Sequence, residues 1–210
     1  VRVPEPLAFL PRFRALVFEE ASGEPLFPAT GSIDVMHCEA AFFAAGQSLA
    51  QLHRRLTPPE SSSNREREVE RIERARAVLL EHRPLLRERF DLALGFQTSD
   101  LATGPELVAL HGDFYPTQVL RDAERSALAF LDWDEACRGE AEQDVANFVA
   151  HVDLEAARER LSGAAAEMLI QLFLRGYDSV RSVDAERFTW YRRSSLLRLA
   201  GLYSRPDFGA

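Results

Sequence analysis

Residues 107–148 read LVALHGDFYPTQVLRDAERSALAFLDWDEACRGEAEQDVANF, and this stretch decides which fold the chain can adopt. It holds two short apolar runs, Leu107–Leu110 and 127–131, that are typical of strands. Each run leads into a loop rich in acids. We expect a hairpin between the two strands to bring Asp113 and Asp132 to the same end of a small sheet.

The side chains of these loops suit phosphoryl transfer from a nucleotide. One carboxylate can orient the attacking hydroxyl and take its proton, while a second carboxylate and an amide oxygen hold Mg²⁺ on the phosphates. Gln118, five residues after Asp113, provides such an amide. Because Mg²⁺ prefers hard oxygen ligands and keeps several of its waters, two protein ligands are sufficient.

Upstream of this stretch the sequence predicts one strand and two long helices. The first helix has apolar positions spaced i, i+3, i+4, i+7. The alternating Glu and Arg residues of the second are typical of a solvated face whose signs cancel, and Val69, Ile72 and Leu79 mark its apolar stripe. The predicted elements are a strand at 14–19, a turn at 21–25, a helix capped by Ser32 or Asp34 that ends near Leu56, a helix from a cap at Asn64 to about residue 90, and a loop at 95–105.

Downstream, a turn is predicted at 122–125, and the chain is predicted to be helical from Asp144 to its end. Apolar side chains at helical spacing form one stripe there, which includes Phe173 and Tyr177, and a second stripe includes Tyr191 and Leu199. The chain shows no internal repeat and no low-complexity segment.

Composition excludes several classes of protein. The chain has 210 residues, of which 46% are hydrophobic and 28% charged, as in a folded globular protein and unlike a disordered tail. No run approaches 18 uncharged apolar residues, so no membrane partner is predicted. A formal net charge of −8 argues against nucleic acid as a partner and favours a cationic or neutral small substrate.

Residue usage constrains the chemistry further. Every basic residue apart from histidine is arginine, so the chain offers no lysine for a Schiff base or a phosphate clamp. The two cysteines, Cys38 and Cys137, are far apart and fit neither a disulfide scaffold nor a thiolate zinc site. They favour a reducing compartment, and we expect a cytoplasmic protein.

Four segments resemble, in the same order, those of the aminoglycoside phosphotransferase and choline kinase superfamily. HGDFYPTQ at 111–118 resembles its catalytic loop, and LDWDEACRGEAEQDVANF at 131–148 its metal-binding segment. LVFEEASGEPL at 16–26 is similar to the passage from the last small-lobe strand through the hinge, and SLAQLHRRL at 48–56 to the helix after it. The resemblance covers about residues 3 to 205.

The resemblance implies an α+β, protein-kinase-like fold. Residues 1–30 would form the end of the small lobe and the hinge. Residues 31–210 would form a mainly helical large lobe, in which a small β-hairpin carries the catalytic and metal-binding loops. The implied co-substrate is ATP or GTP with Mg²⁺, and the implied partner is a small molecule with a hydroxyl group.

The same resemblance gives roles to individual residues. Asp113 would be the catalytic base, Asp132 would bind the metal, and Gln118 stands where the family usually has a metal-binding asparagine. Other matched positions are supporting ones. Glu20 and Ala21 would hold the adenine through hinge backbone groups, Asp144 would brace the catalytic loop, and His111 would shape it.

Four neighbouring residues keep two interpretations each. Asp134 either supports the residues that contact the ligand or is a surface acid. Trp133 is more consistent with packing in the protein than with stacking on a substrate. Asn147 and His151 lie one helical turn apart; they either cap structure or line a substrate pocket.

The chain departs from the family pattern at two points. Gln118 is one methylene longer than the usual asparagine, which bears on the second metal position. Nothing before residue 14 resembles a Gly-rich phosphate loop, and the phosphate-binding lysine is missing. We therefore expect that most of the small lobe is absent from this sequence and that the chain alone is a poor catalyst.

Three functions compete at this stage. The first is a Mg²⁺-dependent small-molecule kinase that phosphorylates a hydroxyl of an aminoglycoside, an amino alcohol, a sugar or an amino acid. The second is a pseudokinase-like binding module of the same fold. The third is a metal-dependent hydrolase with a cluster of His111, Asp113, Asp132 and Asp134, which is the weakest because such sites usually contain more histidines.

Overall fold

A computed structural model describes residues 1–28, 31, 33–95, 104, 106–125 and 127–207. The described residues form six α-helices and seven short strands, which are joined by loops and turns. The strands are β1 Pro6–Leu10, β2 Ala15–Phe18, β3 Glu24–Pro25, β4 Leu107–Leu110, β5 Val119–Asp122, β6 Ala127–Phe130 and β7 Cys137–Glu140. The helices are α1 Val35–Arg55, α2 Arg65–His82, α3 Arg87–Gly95, α4 Glu142–Ala157, α5 Gly163–Asp178 and α6 Ala185–Leu202.

The strands form three small sheets, and their pairing corrects the predicted hairpin. Strand β4 does not pair with β6; it pairs antiparallel with β7, whose sequence CRGE lacks the apolar character of a predicted strand. The hairpin is instead β5–β6, with β3 on its other edge. Its turn is closed at the predicted place, where the Arg125 backbone N–H donates to Asp122 Oδ1 at 3.0 Å.

The helices pack around one large aromatic core. Phe42 of α1, Phe148 of α4 and Phe173 of α5 are fully buried and lie against Phe114 and Phe130 from the catalytic region. The rings of Phe148 and Phe173 are stacked with their centroids 4.0 Å apart. Burial of each such side chain contributes about 1.5–3 kcal/mol. The region of the acidic loops therefore rests on the helical core.

Helix α2 is shorter than predicted because Pro84 interrupts the expected helix to residue 90. Proline has no N–H and disfavours helical backbone at the residue before it, and Arg83 accordingly lies outside the helical region, with φ −138° and ψ 60°. A 3₁₀ turn and α3 follow. The predicted N-cap is confirmed, since Asn64 accepts a hydrogen bond from the Arg67 N–H. Of the predicted stripe, Ile72 and Leu79 are buried and Val69 is exposed.

The first residues of the chain are attached to the β5–β6 hairpin. The Arg2 N–H donates to Leu128 O at 2.8 Å, and the Phe130 N–H donates to Arg2 O at 3.0 Å. The β1–β2 hairpin that follows exposes apolar side chains, including Leu7, Phe9 and Phe13.

Several predictions fall on residues outside the described ranges. These are the alternative cap Ser32, most of the loop predicted at 95–105, and the boundary proposed at residue 30. The division of the chain at residue 30 therefore stays a prediction.

Both cysteines, Cys38 and Cys137, are free and buried. In the described part of the chain, no helix combines the length and apolar character needed to cross a membrane.

Candidate active site

The buried carboxylate of Asp144 fixes the loop that follows β4. Its Oδ2 accepts from the His111 N–H at 2.7 Å, and its Oδ1 accepts from the Gly112 N–H at 3.0 Å. His53 Nε2 lies 3.1 Å from Oδ2, and the Tyr177 hydroxyl lies 2.8 Å from His53 Nδ1. One side chain of α4 thus ties the loop to α1 and α5, as expected for a bracing residue.

Gly112 is required by the same loop. Its φ is +88°, and a Cβ there would collide with the Glu135 backbone carbonyl. Only glycine combines that backbone conformation with that close approach. Gly112 therefore allows the segment that contains Glu135 to pack directly against the loop that contains Asp113.

His111 links the two acidic loops instead of facing a ligand. Its Nε2 donates to the Leu131 carbonyl at 2.7 Å, and its ring packs 4.6 Å from the ring of Trp133. Trp133 Nε1–H in turn donates to Phe130 O at 3.0 Å. Among the described residues, no three or more His, Cys, Asp or Glu side chains are grouped to hold a metal. The hydrolase cluster therefore finds no support.

Asp113 belongs to a short polar chain with Asn147 and Arg198. Asn147 Nδ2 donates to Asp113 Oδ1 at 3.3 Å and to Phe114 O at 3.1 Å, and Arg198 donates to Asn147 Oδ1 at 3.1 Å. Burial raises the pKa of Asp113, the positive charge of Arg198 opposes that rise, and the negative charge of Asp132 adds to it. Asn147 thus contacts Asp113 and lies at the groove, while its role in the site stays a prediction; Arg198 had no signal in the sequence.

Asp132 and Gln118 meet directly. Gln118 Nε2 donates to Asp132 Oδ2 at 2.9 Å and to the Tyr115 hydroxyl at 3.1 Å. Asp132 is exposed and has φ +60°, a left-handed conformation that aspartate adopts more readily than most non-glycine residues. An accessible carboxylate beside an amide is the hard-oxygen donor set that Mg²⁺ prefers. Asp134, two residues on, is exposed.

His151 lines the site as a neutral ring. It stacks on Tyr115 with centroids 4.3 Å apart and an interplanar angle of 15°. Burial, assisted by the charge of Arg198, lowers the pKa of His151 to about 3. At neutral pH its imidazole is therefore uncharged and can donate or accept a hydrogen bond, but it does not repel a cation or attract an anion.

A groove of about 580 Å³ opens beside Asp113, between α2 and α6. Gly201 of α6 sets the separation of its walls, because a Cβ there would lie 2.5 Å from the Ala75 carbonyl of α2. Its lining includes four arginines, Arg71, Arg74, Arg198 and Arg205, and two acids, Asp113 and Glu135. The charges of α2 were interpreted as a solvated face, but Arg71 and Arg74 face this groove.

The hinge residues flank a second, very small cleft. Ala21 lines a space of about 10 Å³ with Arg2, Leu128 and Ala129, while Glu20 is exposed. The next residue, Ser22, donates from its hydroxyl to Asp122 Oδ2 at 2.8 Å, beside the turn of the β5–β6 hairpin.

Comparison with known proteins places this geometry in context. The model of the phosphotransferase enzyme family matches residues 1–183. None of the curated proteins matches the chain.

Solved structures share the fold at low sequence identity. An aminoglycoside phosphotransferase from Streptomyces rimosus, in complex with ADP and streptomycin, is 19% identical with a TM-score of 0.60, over 93% of this chain and 75% of that one. A choline kinase from Streptococcus pneumoniae is 14% identical with a TM-score of 0.61, over 99% and 68%. A macrolide 2′-phosphotransferase from Brachybacterium faecium is 21% identical with a TM-score of 0.60, over 97% and 68%. The predicted α+β, protein-kinase-like fold is confirmed.

Proposed function

The chain belongs to the phosphotransferase enzyme family, and from this premise we propose that it transfers the γ-phosphoryl group of ATP or GTP to a hydroxyl of a small molecule. The observation that carries the proposal is the pairing of the two acidic loops. Asp113 lies at the acceptor groove, Asp132 lies beside Gln118, and His111 joins their loops through the Leu131 carbonyl.

Asp113 acts as the general base in this proposal. The acceptor hydroxyl, lying in the groove, donates its hydrogen bond to the Asp113 carboxylate. As the oxygen bonds to the γ-phosphorus, the proton passes to Asp113 and the bond to the leaving nucleoside diphosphate breaks. Asn147 holds one carboxylate oxygen at 3.3 Å, so the other oxygen is left to face the acceptor.

Asp132 and Gln118 are the residues that would hold Mg²⁺. Their oxygens fit the ion, provided that the Gln118 amide turns its oxygen towards the site. When bound, the ion neutralises phosphate charge and orients the nucleotide. Asp132 is exposed, in a left-handed backbone conformation, and is therefore accessible to the ion. The Gln118 amide donates a hydrogen bond to the Tyr115 hydroxyl at 3.1 Å.

The proposed function also includes a nucleotide contact at the hinge and a cellular location. Backbone groups of Glu20 and Ala21 would contact the purine, and a cytoplasmic location supplies both the nucleotide and the reducing conditions that suit two free cysteines.

The direct test is a panel of hydroxyl acceptors incubated with ATP or GTP and Mg²⁺, with the native protein as catalyst. Product is detected by ³¹P NMR and mass spectrometry. Appearance of a phosphate ester, absent without the protein, supports the proposal. A native protein that binds nucleotide but phosphorylates no acceptor would favour the pseudokinase-like binding module instead.

Asp132→Ala is expected to weaken Mg²⁺-nucleotide binding by about tenfold or more, since even outer-shell partners of a metal commonly contribute that much. Gln118→Asn should be tolerated or mildly activating, because asparagine is the usual residue at this position. Nucleotide affinity and turnover are measured at several Mg²⁺ concentrations. Asp134→Ala, an exposed acid of the same segment, is the matched control. Equal effects of the Asp132 and Asp134 substitutions would contradict the metal assignment.

Arg198→Gln is expected to move the acidic limb of the kcat/KM profile to higher pH. Asp113 must be ionised to accept a proton, so activity is lost as pH falls through its pKa. Burial already raises that pKa, and Arg198 opposes the rise; removal of its charge therefore raises the pKa further. Arg198→Lys keeps the charge and should leave the limb nearly in place. If the acidic limb of the kcat/KM profile does not move in Arg198→Gln, a group other than Asp113 controls that limb.

A further inference from the structure

The groove beside Asp113 is more positive than the rest of the molecule. Four arginines and two acids line it, whereas the whole chain carries a formal net charge of −8. A polycation would enter against this local charge. The overall charge favoured a cationic or neutral small substrate, and the local charge of the groove does not favour the cationic alternative.

Two of the four arginines hold the walls together. Arg71 lies 3.2 Å from Glu135 and 3.7 Å from Glu68, so it ties α2 to the metal-binding segment. Arg198 Nε lies 2.8 Å from the buried Glu68, and its Nη2 donates to Asn147. Glu68 and Glu135 thus balance the charge of these two guanidinium groups, so the excess positive charge of the groove comes from its other two arginines.

The other two arginines are placed to meet a ligand. Arg74 is exposed on the groove side of α2, and it forms no ion pair with the residues that the structure describes. Arg205 lines the same groove at its exposed rim, where its guanidinium group lies 3.4 Å from the exposed carboxylate of Asp207. A guanidinium group binds a carboxylate or phosphate through paired, charge-assisted hydrogen bonds.

The position of the groove separates this anion from the nucleotide. The groove is lined by Gly112 and Asp113, whereas Asp132 and Gln118, the proposed partners of the nucleotide phosphates, are not part of its lining. An anion held by Arg74 therefore lies on the acceptor side of the catalytic base.

We propose that the acceptor carries an anionic group, a carboxylate or a phosphate, which Arg74 and Arg205 bind while its hydroxyl faces Asp113. This inference rests on the proposed function only for the role of Asp113 as the base. The recognition of the anion itself is a binding property of the groove.

Four hexoses that share one ring provide the test: D-glucose, D-glucosamine, D-glucuronate and D-glucose 6-phosphate. Binding to the native protein is measured by ligand-observed NMR without nucleotide, and turnover is measured with ATP and Mg²⁺. We expect one of the two anions to bind about tenfold or more tightly than glucose, and glucosamine to bind more weakly. The two anions show whether a carboxylate or a phosphate is preferred.

Substitutions at Arg74 connect the preference to the groove. Arg74→Gln should reduce the preference and Arg74→Glu should abolish it, while Arg74→Lys retains part of it. Arg89→Glu, at an exposed arginine of α3 outside the groove, is the matched control and should change nothing. Circular dichroism verifies that each variant is folded.

The outcomes for the two proposals can be told apart. Selective anion binding that is lost in Arg74→Glu, without turnover, supports the inference and counts against the proposed function. Turnover of glucose or glucosamine in preference to both anions overturns the inference and supports the function. Equal binding of all four sugars, or no saturable binding of either anion, also overturns the inference.

Discussion

Asp113→Asn should lower turnover by about 10²–10⁴-fold while nucleotide affinity stays nearly unchanged, since this is the usual contribution of a positioned general base. Asparagine keeps the size of the side chain and a carbonyl oxygen for Asn147, but it cannot take a proton from the acceptor. Single-turnover kinetics and nucleotide titration measure the two quantities separately. Loss of nucleotide binding in Asp113→Asn, with turnover of the bound fraction intact, would require the roles of the two acidic loops to be exchanged.

The same substitution should not destabilise the fold. A carboxyl group whose pKa is raised by burial stabilises the folded state when protonated, and that contribution is lost as pH rises through its folded pKa. At neutral pH the ionised Asp113 is therefore a net cost, which a neutral asparagine removes. A Tm equal to or above that of the unaltered protein would show that the loss of turnover is chemical. A much lower Tm would show that the carboxylate has a structural role.

Asp144→Ala should destabilise the protein by about 3–5 kcal/mol and abolish turnover, because it removes one member of a buried charged network. The N–H groups of His111 and Gly112 and the Nε2 of His53 would lose their acceptor inside the fold. Without that acceptor the catalytic loop loses its anchor on α4. Chemical denaturation measures the change in the free energy of unfolding.

Asp153→Ala is the matched control on the same helix. Asp153 forms a partly exposed, bidentate ion pair with Arg192, with both contacts at 2.7 Å, and a surface pair of this kind contributes about 1 kcal/mol. If both substitutions destabilised the protein equally, Asp144 would be an ordinary helix residue and not the anchor of the loop.

The local structure around the candidate site could be predicted from the sequence because its elements are formed by contiguous residues. The strand before His111, the acidic loop after it and the helix from Asp144 follow from local pattern and motif order. The pairing of β4 with β7 could not be predicted, since the sequence CRGE carries no strand signal. Its burial comes from neighbours that are distant in the chain.

The arginines of the groove were missed for a similar reason. Arg71 and Arg74 lie in a run of alternating charges whose signs cancel locally, and a one-dimensional pattern does not show which members face α6. Arg198 lies far beyond Asp113 in the sequence, and the hydrogen bonds that connect them run through Asn147. The helical packing, and not the motif, determines these contacts.

The contact of Gly201 with the Ala75 carbonyl has a consequence for substitutions in the groove. Because backbone meets backbone there, the walls of the groove cannot move closer, and any larger residue at 201 must push α2 and α6 apart. The packing of α2 against α6 therefore fixes the width of the groove. Substitution of an exposed residue at the rim, such as Arg74, can therefore change the charge of the groove without changing its width.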